Sequence, residues 1–142
     1  MTPGIPDAVR ASVREQAGNR CGYCLARQEY LPWVLEIEHI IPKSKGGTDD
    51  EENLWLACHS CNLYKSDQTH GHDPLTGRRV RLFNPRGQQW ERHFRWSEDS
   101  AFIIGQTPCG RATVAALNMN NMVAVTVRRN WIIAGWHPPE NG

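Results

Sequence analysis

Two Cys-x2-Cys pairs limit what this chain can fold into more than any other feature of its sequence. Cys21 and Cys24 form the first pair, Cys58 and Cys61 form the second, and the 33 residues at 25–57 separate them. Four thiolates in two such pairs can hold one tetrahedral zinc ion, or less commonly iron, and so stabilise a segment too small for its own core. Because four protein ligands leave no open coordination position, we expect a structural site.

The composition indicates a globular protein of one domain, or of one domain with an appendage. The 142 residues are 39% hydrophobic and 22% charged, which argues against disorder. Apolar stretches such as 131–134 fall far short of the ~20 residues that span a bilayer, and the first residues lack the pattern of a secretory leader. We therefore expect no membrane partner and a cytoplasmic location, where paired cysteines favour metal binding over disulfides. The fifth cysteine, Cys109, is predicted to lie in a turn and has no assigned chemistry.

Four polar residues between and beside the cysteine pairs suggest a catalytic site. Glu38 and His39 end a predicted strand, Asn53 follows His39 by 14 residues, and Asn62 follows Asn53 by 9. A strand, a loop, a second strand and a helix would bring the strand end and the helix start together. Glu38 and Asn62 can then supply oxygen ligands to one hard divalent cation. His39, on the opposite face of the pleat, can reach a water beside that cation.

Two further residues of this segment have weaker assignments. Asn53 is suited to bonding backbone across the loop and so to fixing His39. His59 lies inside the second cysteine pair. It is predicted to be a donor behind the site or a surface residue, rather than a catalytic residue.

The order and spacing of these residues carry a family resemblance. The chain resembles the HNH endonucleases, of the zinc-bearing kind with two Cys-x2-Cys pairs, over about residues 5–68. It is similar to the His-Asn-Asn form whose spacing of 14 and 9 recurs in the HNH domains of CRISPR effector nucleases. Asn62 stands where the final histidine of the family name stands, and Glu38 stands where Asp is also common. The segments that match are 21–24, 38–42, 53–54 and 58–66.

The resemblance implies a ββα-metal nuclease core within an α+β protein, and hydrolysis of a phosphodiester in DNA, with RNA as a second candidate substrate. It implies that His39 is the general base, that Glu38 and Asn62 hold a catalytic magnesium or manganese ion, and that Asn53 is structural. The products would be a 5′-phosphate and a 3′-hydroxyl. Lys65, one helical turn after Asn62, is a candidate phosphate contact, and a solvated lysine is the alternative.

Charge divides the chain into two unlike parts. Residues 1–77 carry seven Lys or Arg and eleven Asp or Glu, whereas 78–142 carry nine Arg and four acids. We predict a nuclease core at 1–70 and a small α+β extension at 71–142 that packs on the core and extends its DNA-binding surface. Arginine suits phosphate, and arginine interleaved with tryptophan can also stack bases, although we favour a core role for the tryptophans. The candidate nucleic-acid contacts in the extension are Arg92, Arg95, Arg128 and Arg129.

Periodicity and turn residues predict the secondary structure. The pattern favours a helix over 6–17, a strand over 31–41, an extended segment over 53–57 and a helix that Ser60 caps and that runs to Lys65. A loop is expected over 71–77. Short strands are predicted at 80–83, 92–96 and 101–104, followed by helices at 112–117 and 122–131.

Two other functions remain open at this point. A zinc-stabilised module that binds DNA without cutting it has no need of Glu38, His39 and Asn62 together. A structural zinc domain for protein contacts does not explain the arginine-rich second half. One active site per chain would nick one strand, so a double-strand break needs a dimer or two successive nicks. No feature of the sequence fixes the oligomeric state or the sequence specificity.

Overall fold

The computed structural model describes residues 4–139, and this part of the chain is an α+β protein in two compact units. The first unit holds the described residues up to Thr69 together with Asn84–Gly87, and the second holds His70–Phe83 and the described residues from Gln88 onward. The described residues contain five α-helices and three two-stranded antiparallel sheets. None of these helices has the length and apolar character to cross a membrane.

Helix α1 (Asp7–Gln16) opens the first unit as its sequence predicts. Pro6 precedes it with φ −58°, and Asp7 places a negative charge in the first turn, where the helix dipole favours it. The helix buries Val13 and ends where Gly18 and Asn19 both take positive φ values, 66° and 55°. Glycine and asparagine tolerate that left-handed conformation better than other residues do, which explains the stop.

A two-stranded sheet and a helix follow. Strand β1 (Glu36–His39) pairs antiparallel with β2 (Leu54–Ala57), and α2 (His59–Lys65) comes directly after β2. The strand predicted at 31–41 is therefore too long at both ends. Its early part is irregular because the Gln28 side chain donates to Trp33 O and accepts from Leu35 N, occupying groups that a ladder would use.

The cap of α2 also differs from the prediction. Cys58 is the N-cap residue, and its Sγ accepts a hydrogen bond from Cys61 N at 3.4 Å. Ser60 lies inside the helix, so the prediction that it caps the helix is wrong. The second cysteine pair thus begins the helix as well as supplying two thiols.

The segment Asn84–Gly87 belongs to the first unit through contacts with β2. The Arg86 guanidinium donates twice to Leu54 O, at 3.0 and 3.2 Å, and lies 4.9 Å over the Trp55 ring. Gly22 comes so close on the same side that an added Cβ would lie 2.3 Å from the Trp55 ring. Only glycine fits there, since any side chain would clash with the indole.

The second unit is built from short elements. Its strands pair as two hairpins, β3 with β4 and β5 with β6. The elements are β3 (His70–His72), β4 (Arg79–Arg81), α3 (Trp90–His93), β5 (Phe94–Trp96), β6 (Ile103–Gly105), α4 (Pro108–Ala116) and α5 (Met122–Ala134).

Several predictions for this half need correction. The loop expected at 71–77 includes most of β3, and the strand expected at 92–96 begins as the helical turn α3. Cys109 lies in α4 rather than in a turn, because Thr107 caps the helix through Gly110 N and Pro108 occupies its first turn. Both predicted helices are present and longer than expected.

An aromatic cluster forms much of the core of the second unit. The Trp90 ring lies 5.2 Å from Phe94 and 5.4 Å from Trp96, and Phe83 meets Phe94 edge-on at 5.0 Å. These separations are those of favourable aromatic pairs. The core role favoured for the tryptophans is confirmed for Trp90, whereas Trp136 is 49% exposed.

Two arginines hold this unit together. Arg111 forms a two-point contact with the fully buried Asp73, at 2.9 and 3.0 Å. Arg128, which is 3% exposed, donates to Ala101 O and Met119 O and to the Asn120 side chain. Their guanidinium groups are therefore used to satisfy buried acceptors.

Candidate functional site

The four paired cysteines come together at one point. All four Sγ atoms lie within 4.8 Å of one another, and those of Cys24 and Cys58 are 3.7 Å apart. A tetrahedron with zinc–sulfur bonds of ~2.3 Å has sulfur atoms about 3.8 Å apart, so the cluster has the size of a zinc site. Hydrogen bonding to the other three thiols, together with burial, raises the pKa of Cys61. Four thiolates at this spacing need a central cation, and the donor set fits zinc.

His39 is held by an acid that the sequence pattern did not single out. Its Nε2 lies 2.7 Å from Asp49 Oδ1, and Lys43 Nζ lies 3.2 Å from the other oxygen of the same carboxylate. The hydrogen bond from His39, then that from Lys43, lowers the pKa of Asp49. An ionised carboxylate can only accept, so Nε2–H donates to Asp49, and in the neutral tautomer of the imidazole that fits this contact Nδ1 is the acceptor.

Asn53 fixes the loop that carries Asp49. Its side chain accepts from Ile41 N at 2.9 Å and donates to Ile41 O at 3.0 Å and Thr48 O at 2.8 Å. This is the cross-loop backbone bonding expected for Asn53. Because Thr48 directly precedes Asp49, Asn53 holds the acid beside the histidine.

Glu38 is buried, at 2% exposure, with both oxygens in contact with protein groups. The Tyr23 hydroxyl donates to Oε2 at 2.8 Å, and Lys65 Nζ lies 2.5 Å from Oε1 in an ion pair that is not aligned as a hydrogen bond. Burial raises the pKa of Glu38, and the ion pair with Lys65 opposes that rise. A cation bound at Glu38 must therefore compete with a lysine.

Lys65 does not occupy the position that its sequence context suggested. It is 2% exposed, and its ammonium donates to His39 O and Ile40 O at 3.0 Å each, besides pairing with Glu38. Both the phosphate contact and the solvated lysine are thus contradicted by its burial. Lys65 instead joins the end of β1 to the end of α2.

Asn62 is oriented by a second acid that the sequence pattern did not reveal. Its Nδ2 donates to Glu36 Oε1 at 2.7 Å, and His59 Nδ1 lies 2.8 Å from Glu36 Oε2. Burial alone would raise the pKa of Glu36, but the hydrogen bonds with Asn62 and His59 lower it. Within residues 4–139 the Asn62 amide oxygen has no hydrogen-bond partner, so it can serve as a ligand. The only sequence signal for Glu36 is its position two residues before Glu38, on the same face of β1.

A cavity of about 240 Å³ brings together Glu38, His39 and Asn62, whereas Asn53 is not among its lining residues. Carboxylate and amide oxygens beside a water-sized space are the hard donors that magnesium and manganese take, with waters completing the shell. The donor chemistry therefore fits a divalent cation next to an imidazole. The cavity is lined by Ile37, Glu38, His39, Pro42, Lys43, Asn62 and Ser66.

The predicted nucleic-acid contacts of the second unit fall into three classes. Arg92 and Arg95 are exposed. Arg129 is also exposed, but it lies 3.7 Å from Asp99 and 5.7 Å over the Phe102 ring. Arg128 is buried and bonded to three acceptors, so a phosphate contact at Arg128 is contradicted by the structure.

Comparison with known proteins gives one family match, and it lies within the first unit. The family model described as HNH endonuclease matches residues 21–68, the segment that runs from the first cysteine pair through α2. No curated protein and no solved structure gives a significant match. The matched segment contains the four-cysteine cluster, β1, β2 and α2. Residues 21–68 therefore match the HNH endonuclease family, and their four cysteines are positioned to form a metal site.

Proposed function

We propose that this protein is a metal-dependent endonuclease that hydrolyses phosphodiester bonds of DNA, and that the four-cysteine cluster holds a structural zinc ion. The observation that carries the proposal is His39, whose Nε2 is bound to Asp49 inside a segment that matches the HNH family. That contact leaves Nδ1 as the nitrogen that can accept a proton, and His39 lines a cavity together with Glu38 and Asn62.

His39 acts as the general base. Its Nδ1 takes a proton from a water molecule, and the water oxygen forms a bond to phosphorus as the bond from phosphorus to the 3′ oxygen breaks. The products are a 5′-phosphate and, once the departing oxygen gains a proton, a 3′-hydroxyl. Asp49 keeps the imidazole in the tautomer and orientation that this step needs, and Asn53 keeps Asp49 in place.

Glu38 and Asn62 would hold the magnesium or manganese ion. When bound, such an ion stabilises the charge that develops on the phosphate and on the departing oxygen. Glu36 orients the Asn62 amide, because binding its NH2 group turns the oxygen away from the Glu36 carboxylate. Lys65 balances the Glu38 charge in this structure, so the affinity for the ion depends on how readily Lys65 is displaced.

A second function is supported by that same ion pair. If Lys65 stays on Glu38, no cation binds there and the protein is a zinc-stabilised module that binds DNA without cutting it. Glu38 is buried, and a buried ion pair is expensive to break. We place this alternative second because a module that only binds DNA has no use for the His39 and Asp49 pair.

The test is cleavage of supercoiled plasmid with magnesium or manganese, with RNA of matching sequence as a second substrate. We expect wild type to nick or linearise the plasmid and His39→Ala to lose about 10²-fold to 10⁴-fold of the rate, the usual contribution of a general base. Zinc content and thermal unfolding must be equal in the two proteins. If neither protein cuts although both are folded and bind DNA, the binding module becomes the better description.

A further inference from the structure

The hairpin formed by β3 and β4 has one face made entirely of basic residue types. His70 lies directly opposite Arg81, and His72 directly opposite Arg79. Side chains alternate between the two faces of a strand, so these four residues share a face. The remaining pair, Gly71 and Val80, lies on the other face.

Helix α4 covers that other face. A Cβ added to Gly71 would lie 3.1 Å from the Leu82 side chain and 3.5 Å from Ala116 Cβ, so α4 packs closely on this face. The basic face therefore points away from α4. His72, Arg79 and Arg81 are exposed, whereas Val80 is partly covered.

The arginines of this hairpin have no acidic partner in the part of the chain that the structure describes. Within residues 4–139, the ion pairs do not include Arg78, Arg79 or Arg81. The one acid of the hairpin, Asp73, is fully buried and bound to Arg111. Exposed arginines without an acidic partner are available to the oxygens of a polyanion.

The turn of the hairpin holds the basic face in a fixed position. Asp73 accepts from Leu75 N at 3.0 Å and from Thr76 Oγ1 at 2.8 Å, and its backbone N donates to Arg78 O at 2.9 Å. Its carboxylate also receives the two-point contact from Arg111, which lies on α4. A surface that is ordered before binding loses less entropy when a ligand arrives.

We propose that this basic ribbon, His70, His72, Arg79 and Arg81, binds the sugar-phosphate backbone of a nucleic acid. The planar donor fork of arginine suits phosphate oxygens. Residues two apart on a strand are about 6.6 Å apart, so Arg79 and Arg81 can contact two phosphates. Backbone contacts position a nucleic acid and carry no sequence information, so the ribbon adds affinity without base preference. The choice of nucleic acid as the polyanion rests on the proposed nuclease function.

The experiment measures duplex DNA binding across a range of salt concentrations. Every sample is the full chain with His39→Ala, so that DNA is not consumed. We expect Arg79→Gln with Arg81→Gln to weaken binding about tenfold and to lower the slope of log K against log salt by about 1.8. That change corresponds to about 0.9 for each phosphate that the protein no longer neutralises.

Two matched variants isolate the ribbon. Arg79→Lys with Arg81→Lys keeps the charge, so the salt slope is expected to stay at the wild-type value. Arg10→Gln with Arg14→Gln removes the same charge from α1 and should leave the slope unchanged. A weakening as large in the α1 variant as in the ribbon variant overturns the proposal, because binding would then follow net charge alone. Equal competition by polyglutamate of matched charge overturns the choice of nucleic acid.

This test is separate from the test of the proposed function. If the protein with His39 restored does not cut but the ribbon variant still loses DNA binding, the nuclease proposal fails and the ribbon stands. If the protein cuts and the ribbon variant binds DNA as tightly as wild type, the ribbon fails and the nuclease stands.

Discussion

Different kinds of residue stabilise the two units. As a result, residue type indicates a functional site more directly in the first unit than in the second. In the first unit, the residues with distinctive chemistry are the ones that organise the fold: four cysteines form a cluster, and Lys65 is buried against Glu38. In the second, an aromatic cluster and bound arginines perform that task. Cysteine and charged residues thus mark a candidate site in the first unit, whereas aromatic residues and arginine mostly form the core of the second.

Disruption of the cysteine cluster gives the sharpest contrast between the units. We expect Cys61→Ser to abolish stable metal binding and to destabilise the first unit by several kcal/mol, since structural zinc contributes about 10–16 kcal/mol in small zinc domains. The measurements are zinc content and amide hydrogen exchange along the chain. Cys109→Ser is the control and should retain the metal. An equal rise of amide hydrogen exchange in both units would show that the cysteine cluster does not stabilise the first unit specifically.

The buried pair of Asp73 and Arg111 is the corresponding weak point of the second unit. Removing one partner of an ion pair leaves the other without its counter-charge, and the cost rises with burial, so we expect Asp73→Asn to lower the free energy of unfolding clearly more than a substitution in an exposed pair does. Asp99→Asn is the matched control. Its pair with Arg129 is exposed and 3.7 Å long, and such pairs contribute little to stability because water screens them. Equal losses of stability from the two substitutions would contradict a special role for the buried pair.

The same pair predicts how stability changes with pH. The hydrogen bond from Arg111 holds the pKa of Asp73 well below its ordinary value of 3.8. A lowered folded-state pKa contributes stability that is fully present above the unfolded-state pKa and is lost as the pH falls toward the folded-state pKa. The wild type should therefore unfold at lower denaturant concentrations below about pH 4, and this dependence should be smaller in Asp73→Asn.

The smallest expected effect concerns the candidate catalytic site and leaves stability unchanged. Asp49→Asn keeps the shape of the side chain but removes the charge that selects the His39 tautomer. Loss of such a supporting group typically costs 10-fold to 100-fold in activity, so we expect kcat for plasmid cleavage to fall by that factor with little change in DNA affinity. The exposed neighbour Asp50 provides the control, Asp50→Asn. Unaltered cleavage by Asp49→Asn would exclude the positioning role.

Sequence patterns predicted the first unit well because its signals are short and local. The cysteine spacing, the helix stop at Gly18 and Asn19 and the steps of 14 and 9 each depend on residues that the sequence displays directly. Asp49 and Glu36 were missed because an acid that positions another side chain looks, in one sequence, like any solvated acid. Their roles depend on distances of 2.7 Å that only the folded loop and strand establish.

The interpretation of two basic residues as nucleic-acid contacts is wrong because both side chains are buried. Lys65 and Arg128 were both candidate nucleic-acid contacts, and both are at most 3% exposed. A long cationic side chain is normally solvated, and the partners that make its burial possible here are mostly backbone carbonyls, such as His39 O and Met119 O. Every residue has a backbone carbonyl, so the sequence does not show which carbonyls will accept these hydrogen bonds. The basic ribbon was not predicted because 71–77, which includes most of β3, was expected to be a loop.

The short return segment Asn84–Gly87 belongs to the first unit but follows part of the second unit in the sequence. The chain crosses between its two units at 69–70, at 83–84 and again at 87–88. A fragment ending near residue 70 would lack Arg86, which holds Leu54 O and covers Trp55. The four-cysteine half therefore cannot be exchanged between proteins by a single crossover in the gene without leaving part of its own structure behind.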